Sequence, residues 1–304
     1  PVPPMQRTAV LSIAGILIRI ETGEPWELEA LRAFYAGFMS DEGRRPDLLL
    51  RSKRVARLPD LPAGAHILFD TETTWRIWQS GTSLVMEVRS SAHDSPVFRS
   101  VHLSQPLGRG VVFTLSDVDG AAGSSIQPDP VAFPVSELLL MLLLDRRRGA
   151  LVHASGVLDR ETGKAALFPG NSGAGKSTIA RLWAGAADCD VLNDDRIAVI
   201  RTRGGFEMHG TPWSGSFRAR CRGPVPLDAV FFLRHDVENT ARPLGVADAV
   251  KGLLSRSFLP FWDPVAMASA VGLFEGMAES VPFFDLGFVP DGSVLECVRG
   301  ALSS

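Results

Sequence analysis

The spacing of apolar residues predicts a first region that mixes strands with a helix. Apolar residues recur across residues 8–20 with the density of β-strands, whereas across residues 24–39 they recur every three or four positions, as in an amphipathic helix. Residues 75–79 and 84–88 alternate like strands around a short Ser-Gly-Thr turn, which is the pattern of a β-hairpin. This part of the chain is therefore predicted to be α+β.

Residues 117–134 interrupt these patterns, because they combine a Gly-Ala-Ala-Gly-Ser-Ser run with three prolines. We place a domain break there, which suits a chain of 304 residues. The predicted N-terminal α+β domain covers residues 5–125, and the second domain covers residues 130–304. The first domain contains no cluster of chemically active side chains and is a candidate for recognising a substrate or partner.

The second domain begins with a predicted buried helix over residues 135–148, which has an apolar centre and arginines at its end. Residues 151–158 and 165–168 then flank a polar turn, as in a second hairpin. Pairing Asp159 with Lys164 in that hairpin places His153 opposite Gly170. We therefore predict that His153 belongs to the functional site.

A glycine-rich segment follows this hairpin and precedes a predicted helix over residues 178–187. Two glycines five positions apart, followed by Lys and Ser, fit a phosphate-binding loop at the strand-to-helix turn that the motif requires. Its backbone N–H groups and the helix N-terminus favour phosphate oxygens, Lys176 adds a charge, and Ser177 can reach Mg²⁺. Lys176 is expected to be exposed and to add little stability. The loop predicts ATP and Mg²⁺ as cofactors, with the nucleotide bound by Gly170, Asn171, Ser172, Gly173, Ala174, Gly175, Lys176, Ser177 and Thr178.

Two adjacent acids, Asp194 and Asp195, follow a strand that comes shortly after this helix. A right-handed crossover of that length is expected to set the strand beside the one before the loop, so that the acids face the phosphates. Because neighbouring residues on a strand point to opposite sides, one carboxylate can hold Mg²⁺ through water while the other reaches the acceptor. We expect Asp194 to accept or orient the acceptor hydroxyl and Asp195 to support the metal or His153.

The segment from Leu151 to Ile200 resembles the catalytic domain of the bacterial HPr serine kinase/phosphorylase and of its relatives. The matching residues are Val-His-Ala-Ser at 152–155, the glycine-rich loop and Leu-Asn-Asp-Asp-Arg at 192–196. The relatives include kinases that phosphorylate a serine of ribosomal precursor peptides, among them lasso-peptide precursors. The resemblance implies an α/β fold of the phosphoenolpyruvate-carboxykinase-like P-loop type, with a mixed sheet, and transfer of phosphate from ATP to a serine hydroxyl.

The same resemblance implies roles for individual residues. It places Lys176 on the β- and γ-phosphates, Ser177 on Mg²⁺, His153 beside the acidic pair and Asp194 as the catalytic base. A Phe-Glu-Met-His-Gly segment is similar to a family segment that supplies a metal ligand, which would be Glu207.

Composition excludes several classes of partner. A formal net charge of −3 gives no general attraction to nucleic acid or to anionic lipid. The longest apolar runs fall short of the roughly 18 residues that a membrane span needs. The first residues of the sequence lack the basic region and cleavage site of a secretory signal peptide. Three widely spaced cysteines suit a reducing compartment. We therefore expect a cytoplasmic protein that neither spans a membrane nor is exported.

The favoured function is an ATP-dependent serine kinase that acts on a protein or a ribosomal precursor peptide, and a homo-oligomer is compatible with the sequence. A small-molecule kinase on the same fold and a non-catalytic ATP-binding regulatory module are the alternatives. His153 together with two acids favours catalysis, since a protein that only binds ATP needs neither. Arg218 and Arg220 are candidates for neutralising charge on the transferred group.

Overall fold

A computed structural model describes residues 7–90, 95–116, 128–186 and 188–303 of the chain. They form two compact units, which divide between Leu143 and Leu144. Within the described ranges, six α-helices accompany two sheets, and each sheet contains both parallel and antiparallel pairs. The fold class is therefore mixed α/β. No helix in these ranges is long and apolar enough to cross a membrane.

The first unit contains a mixed sheet and a short helix that follows its first two strands. Its sheet has the order β1-β2-β3-β8-β7-β6-β5-β4, in which β2, β3 and β8 run parallel. A 3-10 turn at Ala36–Phe38 follows the helix. The bounds are β1 Arg7–Ile13, β2 Ile16–Thr22, α1 Pro25–Phe34, β3 Leu48–Val55, β4 His66–Asp70, β5 Trp75–Ser80, β6 Ser83–Arg89, β7 Val97–Leu103 and β8 Arg109–Leu115.

The predicted elements of this unit are confirmed, with shifted ends. The dense apolar stretch forms the β1–β2 hairpin, whose turn at Ala14 and Gly15 has φ values of 52° and 71°. The predicted hairpin is formed by β5 and β6. Helix α1 is shorter than predicted, because the chain tightens into the 3-10 turn after Phe34, while Leu31 and Phe38 still fill the core.

The boundary between the units lies later in the chain than the break expected between residues 125 and 130. Residues 5, 6 and 117–127 lie outside the described part, but Asp129 is tied to the first unit. Arg99 is buried and donates from Nη2 to the backbone oxygen of Asp129 at 3.0 Å and from Nε to Thr114 Oγ1 at 3.1 Å. Burial lowers the pKa of Arg99 to about 10. A buried cation of this kind needs such partners. The division itself falls within α2 (Val135–Arg146), the predicted apolar helix.

The second unit contains the other sheet, whose order is β14-β13-β12-β9-β10-β15-β18-β16. Strands β11 and β17 also pair with β9. The bounds are β9 Gly149–Asp159, β10 Lys164–Pro169, α3 Lys176–Gly185, β11 Cys189–Asn193, β12 Arg196–Thr202, β13 Gly205–Gly210, β14 Val225–Pro226, β15 Ala229–His235, β16 Thr240–Pro243, α4 Val246–Leu254, β17 Ser257–Phe258, α5 Pro264–Ser280, β18 Phe283–Phe288 and α6 Ser293–Leu302.

The β9–β10 hairpin has the predicted register. Asp159 pairs with Lys164 and Ala154 with Pro169, and the backbone N–H of Gly170 donates to the oxygen of His153 at 3.2 Å. The turn is fixed by the buried Asp159 carboxylate, which accepts from the Glu161 N–H, the Thr162 hydroxyl and the Arg299 guanidinium. A turn with such local hydrogen bonds determines register, which is why the sequence alone could predict it.

The prediction that the acids follow a strand directly beside β10 is wrong. Strand β11 pairs with β9 across residues 156–159, on the edge opposite to β10, because the long hairpin arm β9 already occupies that side of β10. Both β10 and β11 are antiparallel to β9, so they still run in the same direction. Their carboxyl ends therefore reach the same edge of the sheet, about 10 Å apart across the intervening strand.

Candidate functional site

The glycine-rich loop connects β10 to α3 at this edge. Gly173 and Gly175 have φ values of 81° and 103°, which side chains other than glycine rarely adopt. A Cβ atom on Gly175 would lie 2.5 Å from Cζ of Phe288, and one on Gly170 would lie 2.9 Å from the Ala174 Cβ. The loop is therefore held in a compact turn that requires glycine at these positions.

The other loop residues differ in exposure. Asn171 and Ser172 are exposed, whereas Ala174, Ser177 and Thr178 are partly buried. The predicted helix after the loop is confirmed as α3, which begins at Lys176 and ends at Gly185; Ala187 lies outside the described residues. The loop thus places the N-terminus of a ten-residue helix at the end of a buried strand.

Lys176 is buried, with 7% of its surface exposed, so the prediction of an exposed lysine is wrong. Its side chain folds back over the loop, and Nζ donates to the carbonyl oxygens of Gly170 at 3.0 Å and Asn171 at 3.1 Å. Burial lowers the pKa of Lys176, while the charges of Asp195 and Asp194 oppose that change. The ammonium group therefore lies across the loop.

Asp194 is fully buried, and both of its carboxylate oxygens accept hydrogen bonds. Its Oδ2 accepts from Ser177 Oγ at 3.0 Å and from the Phe217 N–H at 2.8 Å, and its Oδ1 accepts from the Gly215 N–H at 2.8 Å. Gly215 is required for this contact, because a Cβ there would lie 2.7 Å from Oδ2. Asp194 therefore links the first turn of α3 to the loop after β13.

Asp195 takes a different environment from its neighbour. Its side chain is 26% exposed, and Oδ1 lies 3.1 Å from His153 Nε2. Partial burial raises the pKa of Asp195, but the hydrogen bond from His153 and the charges of Arg196 and Lys176 outweigh it and hold the pKa below its usual range. The Ala154 N–H donates to the Asp195 backbone oxygen at 3.0 Å, so β9 fixes both members of the pair.

Asn193 lies immediately before the two acids, and its structural role was not predicted from the sequence. Its buried amide donates to the backbone oxygens of Thr211 and Trp213 at 2.9 and 2.8 Å, and its Oδ1 accepts from the N–H groups of Asp195 and Arg196. This turn follows the end of β11. Beyond it, the Asp194 carboxylate contacts Ser177 and the Asp195 carboxylate contacts His153. Asn is a common residue for such side-chain-to-backbone turns, a signal that could have identified its role.

Glu207 is not brought to the acids. On β13 it pairs with Ile200, which lies opposite Gly149, whereas Arg196 at the other end of β12 lies opposite His153. Four residues along a strand correspond to about 13 Å. The β12–β13 hairpin therefore carries Glu207 away from the site, where its carboxylate lies 3.7 Å from His209.

The residues after β13 form the wall of the site rather than its centre. Trp213 is buried and packs below the Arg196 guanidinium, whose carbon lies 6.0 Å from the ring centroid. Arg218 and Arg220 are both exposed, and Arg220 Nε donates to Ser214 Oγ at 3.1 Å. These two arginines therefore lie on the surface beside the loop that contacts Asp194.

The opposite flank of the glycine-rich loop carries two residues that the sequence analysis missed. His235 and Phe288, the last residues of β15 and β18, stack on each other with centroids 5.5 Å apart, and His235 Nε2 donates to the Gly173 oxygen at 3.0 Å. No local pattern marks them, because their relation to the loop depends on strand order.

The available groups suit a magnesium–triphosphate ligand. Among the described residues, no cluster of three His, Cys, Asp or Glu side chains is placed to hold a metal ion. Mg²⁺ is commonly held by one or two protein oxygens together with phosphate and water, and the partly buried Ser177 hydroxyl, which donates to the buried Asp194 carboxylate, supplies such an oxygen. The α3 N-terminus and Lys176 supply the positive charge that phosphates require.

No protein-family model matches the chain, and no curated protein matches it either.

Proposed function

We propose that this protein is an ATP- and Mg²⁺-dependent kinase of the HPr-kinase-like P-loop type, which transfers the γ-phosphate to a serine hydroxyl of a protein or ribosomal precursor peptide. The observation that supports it best is the convergence of three groups at one sheet edge. These are Lys176 over the loop, the Ser177–Asp194 pair and the partly exposed His153–Asp195 pair. Phosphoryl transfer needs groups that hold phosphates, hold the metal and orient the acceptor, and each has a candidate here.

The burial of Asp194 favours a division of roles opposite to the one expected from the sequence. Both Asp194 oxygens are occupied by protein donors, and the side chain has no exposed surface with which to reach a substrate. Asp195 is partly exposed; one of its oxygens lies 3.1 Å from His153 Nε2 and the other lies 3.5 Å from Arg196 Nε. We therefore assign Asp194 to holding the Ser177 hydroxyl, which would bind the metal, and Asp195 to the acceptor hydroxyl.

In the proposed reaction the serine oxygen forms a bond to the γ-phosphorus as the bond to the β,γ-bridging oxygen breaks. Bound Mg²⁺ would neutralise charge on the phosphate oxygens. Asp195 accepts the hydroxyl proton, and His153 holds the carboxylate in place through Nε2. Because the pKa of Asp195 lies below its usual value, the group is ionised at neutral pH and acts mainly by orienting the hydroxyl.

The nucleotide part of this proposal predicts a thermal shift. A ligand that binds only the folded state at 100 times its Kd adds about 2.7 kcal/mol, so Mg²⁺ with ATP is expected to raise Tm by several degrees. Ser177→Ala should lose the Mg²⁺-dependent part of the shift, while Ser280→Ala at the end of α5 should keep it. Differential scanning fluorimetry with ATP, in Mg²⁺ or in EDTA, measures both. An unchanged Tm at millimolar Mg²⁺ and ATP would contradict nucleotide binding.

A further inference from the structure

The end of the site opposite the acids is formed by β15 and β18. Strands β10, β15 and β18 are parallel neighbours in that order, so their carboxyl ends share the edge that carries the glycine-rich loop. His235 ends β15 and Phe288 ends β18. The acids and His153 come from β11 and β9, on the other side of β10. The loop therefore lies between an acidic flank and an aromatic flank.

The aromatic flank contacts the loop directly. Phe288 is fully buried and approaches Gly175 so closely that a Cβ there would collide with its ring. The His235 imidazole is stacked on Phe288 with an angle of 27° between the rings, and its Nε2 donates to the Gly173 oxygen. His235 is itself exposed, so one face of the imidazole is backed by Phe288 while the residue remains open to solvent.

The chain beyond His235 is anchored and carries an exposed apolar side chain. Asn239 Nδ2 donates to Ser293 Oγ at 2.7 Å, and Asn239 Oδ1 accepts from the Val289 N–H at 2.8 Å, which ties the β15–β16 connection to the segment after β18. Val237, within that connection, is 93% exposed. This anchored connection therefore presents an apolar side chain to solvent two residues after the exposed His235.

The two flanks determine the orientation of a bound nucleotide. The γ-phosphate has to lie toward Asp195 and His153, where the proposed transfer takes place, so the nucleoside extends to the other side of the loop. We propose that His235 is the platform for the nucleobase, with its imidazole stacked on the base and its Nε2–H holding the Gly173 carbonyl. This rests on the proposed nucleotide site. Stacking of a base on an aromatic side chain commonly contributes about tenfold or more to affinity.

The experiment compares the affinities of Mg²⁺–ATP and Mg²⁺–tripolyphosphate, which has no base, for the wild type and three variants. His235→Phe keeps a ring but loses the hydrogen bond to Gly173, His235→Gln keeps a donor but loses the ring, and His235→Ala loses both. Isothermal titration calorimetry gives each Kd, and unfolding of each ligand-free protein checks that it is folded. We expect His235→Gln and His235→Ala to weaken ATP binding by about tenfold and tripolyphosphate binding by less than about threefold, while His235→Phe keeps ATP affinity.

Two results would overturn the platform. Equal weakening of both ligands in the Ala variant, with both affinities kept in the Gln variant, would show that His235 only supports the loop through its hydrogen bond to Gly173. Unchanged ATP affinity in both variants would show that His235 contributes nothing. A wild-type protein that binds tripolyphosphate and ATP equally well would also contradict it. If the wild type binds neither ligand, the proposed nucleotide site fails as well, so the two failures are distinguishable.

Discussion

Replacement of Lys176 by Met is expected to lower the rate of phosphotransfer by at least about a hundredfold. This is the usual effect of removing one fixed hydrogen-bond donor from the charge that develops in a transition state. The Lys176 ammonium group lies over the loop and contacts the Gly170 and Asn171 carbonyls, where it would bind the phosphates. Met keeps the apolar stem in its buried position, so the loss would come from the charge. The measurement is kcat/KM for peptide phosphorylation at saturating Mg²⁺.

The stability of this variant needs a separate measurement, because Lys176 is buried and two carbonyls lose a donor. A lost hydrogen bond commonly costs about 1 kcal/mol, which would lower Tm by a few degrees without unfolding the protein. Lys251→Met, on the exposed face of α4, is the matched control and should keep both rate and Tm. Full activity in a folded Lys176→Met protein would be incompatible with the assigned role.

Replacement of Asp195 by Asn is expected to lower turnover by about a hundred- to ten-thousandfold, the range of general-base contributions. Asn keeps the shape of the side chain and its contact with His153 but loses the carboxylate that would receive the hydroxyl proton. Since transfer of this kind depends strongly on positioning, the loss can lie at the lower end of that range. ATP affinity, measured beside kcat, should stay within about threefold because Asp195 is assigned to the acceptor.

Asp194→Asn is the matched comparison and should behave differently. Asn replaces one carboxylate oxygen with an amide nitrogen that cannot accept, so it loses either the hydrogen bond from Gly215 or those from Ser177 and Phe217. Tm should therefore fall, and a higher Mg²⁺ concentration should be needed for half-maximal binding. A loss of turnover below threefold in Asp195→Asn would remove Asp195 from the mechanism. A large loss of turnover in Asp194→Asn alone, with normal Tm and Mg²⁺ dependence, would restore the assignment made from the sequence.

Local chemistry explains which parts of the site could be predicted. The hairpin turn from Asp159 to Lys164 and the alternation of its strands determine the register that places His153 beside Gly170. The conformation of the glycine-rich loop can likewise be predicted from its residues, since Gly173 and Gly175 have positive φ values, which glycine adopts readily. These features depend on residues close together in the sequence, and the structure reproduces them.

The features that could not be predicted depend on contacts between distant segments. Gly173 and His235 are 62 residues apart, and their contact follows from the order β10-β15-β18, which no local pattern reveals. The insertion of β9 between β10 and β11 is another case. The length of the connection from β10 to β11 does not show that another strand already pairs with that side of β10. The buried environment of Asp194 includes Gly215 and Phe217, whose N–H groups donate to its carboxylate. The position of the loop that carries them could not be predicted from the sequence.

The most direct test of the central claim is transfer of phosphate from γ-labelled ATP to a serine. The protein is incubated with Mg²⁺, labelled ATP and precursor peptides encoded beside its gene, each paired with a peptide in which Ala replaces every Ser, and the products are mapped by mass spectrometry. We expect label on a serine of at least one peptide, none on its Ala counterpart, and loss of labelling in both Lys176→Met and Asp195→Asn. Binding of ATP without transfer to any peptide, or transfer that persists in Asp195→Asn, would contradict it.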